Sequence, residues 1–193
     1  LPNRNLIING AMQVAQRPDL ATAADGYGAV DRWYFYNEGD GRATITQSTD
    51  VPSTKEFKYS YKLDVTTADT AGAGSRGWVG QWLEARDSGV TLKGTSAAKQ
   101  ITVQFWVKSP KTGTHIIGLD DSDATDHSTS RFINATYTVS TANTWEKKTV
   151  TFAGDTTGVF NTTTARGLIV EFRLVQGSNS TSGALATSWA DYA

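Results

Sequence analysis

Apolar residues in this chain recur at every second position over short runs, and that period restricts the fold more than any other feature. Tyr59, Tyr61, Leu63 and Val65 alternate with Lys58, Ser60, Lys62 and Asp64. Ile101, Val103, Phe105 and Val107 are opposed by Thr102, Gln104, Trp106 and Lys108, and Leu168, Val170, Phe172 and Leu174 by Ile169, Glu171 and Arg173. Trp33 and Phe35 share one face, with Tyr34 and Tyr36 on the other. Successive side chains of a strand point to opposite faces, so each run has a core side and an outer side. A slip of one residue would expose the whole apolar set, which fixes the register.

Weaker runs at 42–49, 75–84, 113–119, 130–138 and 145–152 lie between Gly, Ser, Asp and Pro clusters that mark turns. A short helical turn is expected near 83–88, where Glu84, Ala85 and Arg86 break the alternation. No βαβ pattern and no internal repeat is present. Nine or ten short strands at this spacing predict an all-β protein, an antiparallel β-sandwich with one core between its layers.

The length of 193 residues suits a single domain over 1–193, able to bury roughly 70% of the surface its unfolded chain exposes. With no cysteine, a disulfide framework and cysteine-based metal sites are excluded. Lys and Arg total 18 against 19 Asp and Glu, so no strong field recruits a polyanion and nucleic-acid binding is not expected. Apolar stretches fall far short of the roughly 20 residues that cross a bilayer as a helix, so no membrane insertion is expected, and no signal-peptide profile opens the chain. Starting at Leu1 rather than Met, the chain reads as a fragment of a longer one.

Candidate chemistry is sparse. The histidines are His115 and His127, without a nucleophile-elbow or metal-type spacing beside them. No pair of acids stands out as a glycosidase pair; Asp31, Asp64, Glu84, Glu146 and Glu171 read as solvated surface acids. The segment 120–126 places Asp120, Asp121, Asp123 and Asp126 at close spacing, oxygen ligands of the kind calcium takes, but without the Gly and terminal Glu of an EF-hand loop. An acidic turn is the favoured reading, so no metal and no cofactor is expected, with calcium the alternative.

Aromatic residues are plentiful, at six Trp, seven Tyr and seven Phe. Trp33, Phe35, Phe105, Phe152 and Phe172 share parity with aliphatic neighbours and are expected in the core, while Trp78 and Trp82 suit core or interface. Tyr34, Tyr36 and Trp106, with Gln104 beside the last, lie on the opposite face. They are the candidate binding residues: they stack on a saccharide, pack on a neighbouring subunit, or lie under the N-terminal segment.

The opening Asn5-Leu-Ile-Ile-Asn-Gly-Ala-Met-Gln-Val-Ala-Gln-Arg17, followed by Asp31-Arg32-Trp33, resembles the start of a sandwich domain found in tail-fibre and other appendage proteins of bacteriophages. The likeness continues through Gly80–Glu84, Ile101–Ser109, Thr144–Glu146, Phe152–Gly158 and Gly167–Leu174. It implies a jelly roll similar to carbohydrate-binding modules, a virion location in a tail fibre or other appendage, and homotrimers bound to other virion proteins. The residues depart from the family pattern at Pro18, where Gly is usual, and past Trp189, where relatives continue into a further strand; the segment 1–17 leads in and a last strand is missing or supplied by another segment.

The resulting expectation is a structural virion protein, not an enzyme, that contributes to host attachment by recognising a bacterial surface glycan. A purely structural adaptor or head-decoration module is the alternative. A polysaccharide depolymerase is the third reading, supported only by the location such enzymes share with fibres.

Overall fold

A computed structural model gives the fold and describes residues 5–23, 25–54, 56–121, 130–160 and 164–192. Among these the chain is antiparallel and almost entirely β: β1 (Leu20–Ala23), β2 (Gly26–Tyr27), β3 (Tyr34–Asn37), β4 (Arg42–Ser48), β5 (Ser60–Thr67), β6 (Arg76–Glu84), β7 (Ile101–Val107), β8 (Gly113–Asp121), β9 (Arg131–Val139), β10 (Glu146–Phe152), β11 (Arg166–Gln176) and β12 (Ala190–Asp191). A helical turn, α1 (Ala85–Ser88), follows β6 where the alternation breaks, and 3-10 turns form at Gly89–Thr91 and Ser178–Ser180. The chain divides into two compact units, one of 7–81 with 172–184, the other of 82–171 with 1–6 and 185–193. The long strands β6 and β11 give residues to both.

In the 7–81 unit, β4 lies between β1 and β5, and β3 pairs with β2 and β6. The layers meet over Val30, Trp33, Phe35, Ala43, Ile45 and Val79, with Ile7, Met12, Leu20, Tyr61, Leu63 and Phe172 packed around them. Ile45 is fully buried, faces Leu63 across the β4–β5 ladder, and contributes about 1.5–3 kcal/mol by leaving water. Trp33 and Phe35 take the core side as their parity predicts. Val65 shares the parity of Leu63 yet is exposed, as is Leu174. Alternation assigns a face and does not say where the covering layer stops.

The opening residues are held by a side chain acting as a strand neighbour. Gln81, wholly buried, accepts the Ile8 N–H at 2.8 Å and donates its amide to the Ile8 carbonyl at 2.8 Å. Asn9 then closes the turn: its Oδ1 accepts the Val14 N–H at 3.0 Å, its Nδ2 donates to the carbonyls of Val14 and Asp31, both at 2.9 Å, and its own carbonyl accepts Trp33 Nε1 at 3.3 Å. Gln47 Nε2 donates to the Met12 carbonyl at 2.6 Å. The motif that carries the family likeness thus spends Asn9, Asp31 and Trp33 on the fold itself.

In the 82–171 unit, β8 and β9 pair from Gly113↔Val139 to Asp120↔Phe132, and β7 pairs with β10 from Ile101↔Phe152 to Val107↔Glu146. Ile117, Leu119, Ile133, Phe152 and Leu168 fill the interior. From Leu168 to Glu171 consecutive residues of β11 are all buried, so this stretch is covered on both faces and Glu171 is not the solvated acid its sequence context suggests. Gly167 has to be glycine: a Cβ there would lie 2.4 Å from the Ala85 Cα, where α1 is seated by the Ala85 N–H on the Ala165 carbonyl at 2.9 Å.

Candidate functional site

The outer face of β2, β3 and β6 carries a continuous row of rings. Tyr34 faces Tyr27 across one ladder and Gly80 across the other, while Tyr36 faces Trp78. The ring centroids follow at 5.0 Å from Tyr27 to Tyr34, 5.8 Å from Tyr34 to Trp78, and 5.2 Å from Trp78 to Tyr36, the last pair stacked at 16°. Trp78 is only 5% exposed and braces the half-buried Tyr34 and Tyr36, while Tyr27 is exposed. The row is therefore a pre-set but uneven aromatic platform: Tyr27 meets Tyr34 edge-on at 79°, Tyr34 is tilted 38° to Trp78, and the tyrosines are the accessible rings beside a buried tryptophan.

Charged groups border both ends. Arg76 lies 5.9 Å from the Tyr36 ring and 4.0 Å from Glu38, and Tyr36 Oη donates to Glu38 Oε2 at 3.0 Å. Asp25 Oδ1 accepts the Asn37 N–H at 2.5 Å. At the other end Arg17 lies 5.5 Å from the Tyr27 ring and pairs with Asp31 at 3.2 Å. Burial first, and then the Glu38 hydrogen bond and charge, hold the Tyr36 hydroxyl above its ordinary pKa, so it remains a neutral donor. Such an arrangement offers apolar faces rimmed by donors and acceptors, the chemistry a sugar ring needs.

The other two expected binding residues occupy β7, in the 82–171 unit. Gln104 is exposed and donates Nε2 to Thr149 Oγ1 at 3.1 Å, and the half-buried Trp106 faces Lys147. Thr102 and Thr151 continue this polar face, their hydroxyls 3.0 Å apart. The expected set thus falls on two surfaces, Tyr34 and Tyr36 on one unit, Trp106 and Gln104 on the other. Trp78 is buried, as expected of a core residue, and the member of the row that sequence reasoning missed is Tyr27, whose place beside Tyr34 becomes visible only once β2 and β3 are paired.

Asp121 is buried among countercharges. Its Oδ2 lies 3.0 Å from Lys93 Nζ and its Oδ1 accepts the Arg131 N–H at 2.8 Å. Lys93 also lies 3.9 Å from Asp155, which pairs with Arg131 Nε at 3.0 Å, and Arg131 reaches on to Asp191. The side chains of Lys93, Asp121 and Asp155 are 3%, 0% and 3% exposed. Asp120 accepts a hydrogen bond from Tyr192 Oη. Asp123, Asp126 and His127 lie outside the described residues, and among the described residues no three His, Cys, Asp or Glu converge.

Asp121 and Asp155 both approach Lys93, but the adjoining cavity of about 10 Å³, lined by Thr91, Lys99, Phe160 and Trp189, has room for about one water and none for a sugar. His115 is six residues from Asp121 along β8, about 20 Å. It stacks on Tyr137 at 5.4 Å, its Nε2 buried without a hydrogen-bond partner, and burial pushes the Tyr137 hydroxyl up to about 12. A more open groove of about 320 Å³ lies between β9 and β10, lined by Asn134, Thr136, Thr151 and Thr187 with Phe152 as floor. It offers hydroxyls but no exposed ring.

Antiparallel strands in stacked layers, with a row of aromatic rings on one outer face, define an all-β sandwich. No protein-family model and no curated protein matches the chain. The chain is similar to a solved structure, the enzymatically active domain of tailspike protein 4 of bacteriophage CBA120, at 18% identity and a TM-score of 0.50 over 90% of its own length. It spans about a fifth of that protein, 21%, and the likeness is one of fold.

That neighbour corrects one expectation. A chain poor in histidine was expected not to be an enzyme, yet the same fold is found in a domain described as enzymatically active. The physical reason is that glycoside cleavage needs only two carboxylates, which any two strands can supply, so scarce histidine carries little weight against it.

Proposed function

We propose that this chain is a module of a bacteriophage tail appendage that grips a glycan on the bacterial surface. The observation that carries the reading is the row of Tyr27, Tyr34 and Tyr36 braced by Trp78, with polar groups at both ends. The fold shared with a tailspike domain and the opening motif support the phage setting. Appendages that cut a polysaccharide and appendages that only hold one both require such a grip. A sugar stacked on one ring gains little alone, so copies of the chain in a trimer, anchored to other virion proteins, would multiply a weak contact into firm attachment. Trp106 and Gln104 form the second contact surface of the same reading.

The test is binding of the purified chain to an array of bacterial surface polysaccharides. Tyr34→Ala and Tyr36→Ala are each expected to weaken binding roughly 2- to 12-fold, measured at a temperature where both variants remain folded. A silent array with wild-type protein, or unaltered binding by both variants, overturns the reading.

A further inference from the structure

Resting on that reading, we infer that the aromatic row selects uncharged stretches of polysaccharide and disfavours those bearing carboxylates. The arginines at its ends are already engaged. Arg17 is paired with Asp31 at 3.2 Å, and Arg76 lies 4.0 Å from Glu38, which also holds the Tyr36 hydroxyl at 3.0 Å. Each arginine thus sits beside an acid that the protein already supplies, so a sugar carboxylate would meet a partly neutralised charge rather than a free one. Asp25, capping the Asn37 N–H at 2.5 Å, adds a further negative charge on the Tyr36 side. Three carboxylates therefore stand against two guanidinium groups around the row.

The Tyr36 hydroxyl responds to the same field. Besides burial, Glu38 and Asp25 hold its pKa up, and Arg76 offsets them only in part. A neutral sugar meets no such repulsion. Its hydroxyls can donate to Glu38 and Asp31 and accept from Arg76 and Arg17 while its apolar face lies on Tyr34 and Tyr36. The paired charges then act as a rim of hydrogen-bonding groups rather than as a bait for anions.

The experiment uses matched ligands that differ only in charge. Acidic bacterial polysaccharides are presented in native form and after carbodiimide reduction of their uronic acids to neutral sugars. Wild-type protein is expected to bind the reduced forms roughly three- to tenfold more tightly in low salt, the gap shrinking as ionic strength rises. In the Asp25→Asn variant, which keeps the acceptor for the Asn37 N–H but removes its charge, the gap should narrow while binding to the reduced forms persists.

Native forms bound as well as or better than reduced ones would overturn the selectivity and leave the platform standing, provided Tyr36→Ala still lowers binding. Absence of binding to either form would overturn the platform and the selectivity together.

Discussion

Tyr36 and Trp78 face each other across the β3–β6 ladder with ring centroids 5.2 Å apart and planes within 16° of parallel, the tryptophan nearly sealed and the tyrosine half-buried. The buried ring thus sets the attitude of the outer one. Trp78→Ala should cost about 3–5 kcal/mol, read as a lowered denaturant midpoint, whereas Trp78→Phe should cost much less and retain glycan binding. Equal losses in the two variants would count against a bracing role.

Gln81 is expected to tolerate little change. Gln81→Leu keeps the bulk but orphans the N–H and C=O of Ile8, at about 1–3 kcal/mol for each group. Gln81→Glu carries a sharper signature. Burial and the facing carbonyl raise the folded-state pKa of the new acid, so the folded form binds its proton more tightly and the variant regains stability as pH falls. Melting temperature against pH measures this, and a wild-type-like profile would refute it.

Removal of Lys93 leaves Asp121 without its ammonium partner in a sealed site. Lys93→Met should destabilise the fold by about 3–5 kcal/mol, and the Lys93→Met, Asp121→Leu double variant should recover part of that loss. Chemical denaturation of the wild type, Lys93→Met, Asp121→Leu and the double variant decides it; a double variant worse than the sum of its singles contradicts the buried pair.

Acid should weaken the fold through identifiable carboxylates. Lys148, with the Thr141 and Ser140 N–H groups, holds Glu146 below its ordinary 4.5, and the Thr70 N–H and hydroxyl hold Asp40 below 3.8. Asp69 is also lowered: burial raises it, but the Ala71 and Gly41 N–H groups and the Ser75 hydroxyl outweigh that. Each folded-state value lies below the unfolded one. Their stabilisation is complete above about pH 4.5 and is lost as pH falls through the folded values. Glu146→Gln should flatten the acid limb of a melting-temperature profile, and an unchanged slope would remove Glu146 from the account.

The strands could be read from the residues because their period is local. The alternation in 101–107 and 168–174 needs no partner to be visible, and it placed Trp33 and Phe35 inside and Tyr34 and Tyr36 outside. The helical turn at Ala85–Ser88 was equally local. Short pieces such as β2 and β12, with two residues each, leave no period to detect.

What escaped the sequence depends on pairing. Lys93, Asp121, Arg131 and Asp155 sit on separate elements and share no spacing, so their convergence is a property of the folded layers alone. The same holds for Tyr27, whose place in the row follows from register with β3, and for Glu171, whose outward parity on β11 hid its burial. The expectation of no enzyme rested on scarce histidine and absent motifs, and a domain of similar fold that is enzymatically active shows how little those local signals weigh.

The clasp of Gln81 on Ile8 has a consequence for how this fold can change over time. Both hydrogen bonds reach main-chain atoms, and the Ile8 side chain is half exposed. Any non-proline residue can supply that N–H and C=O, so position 8 is free to drift while position 81 is pinned. A seam written in main-chain atoms lets an architecture outlive the resemblance of its sequences.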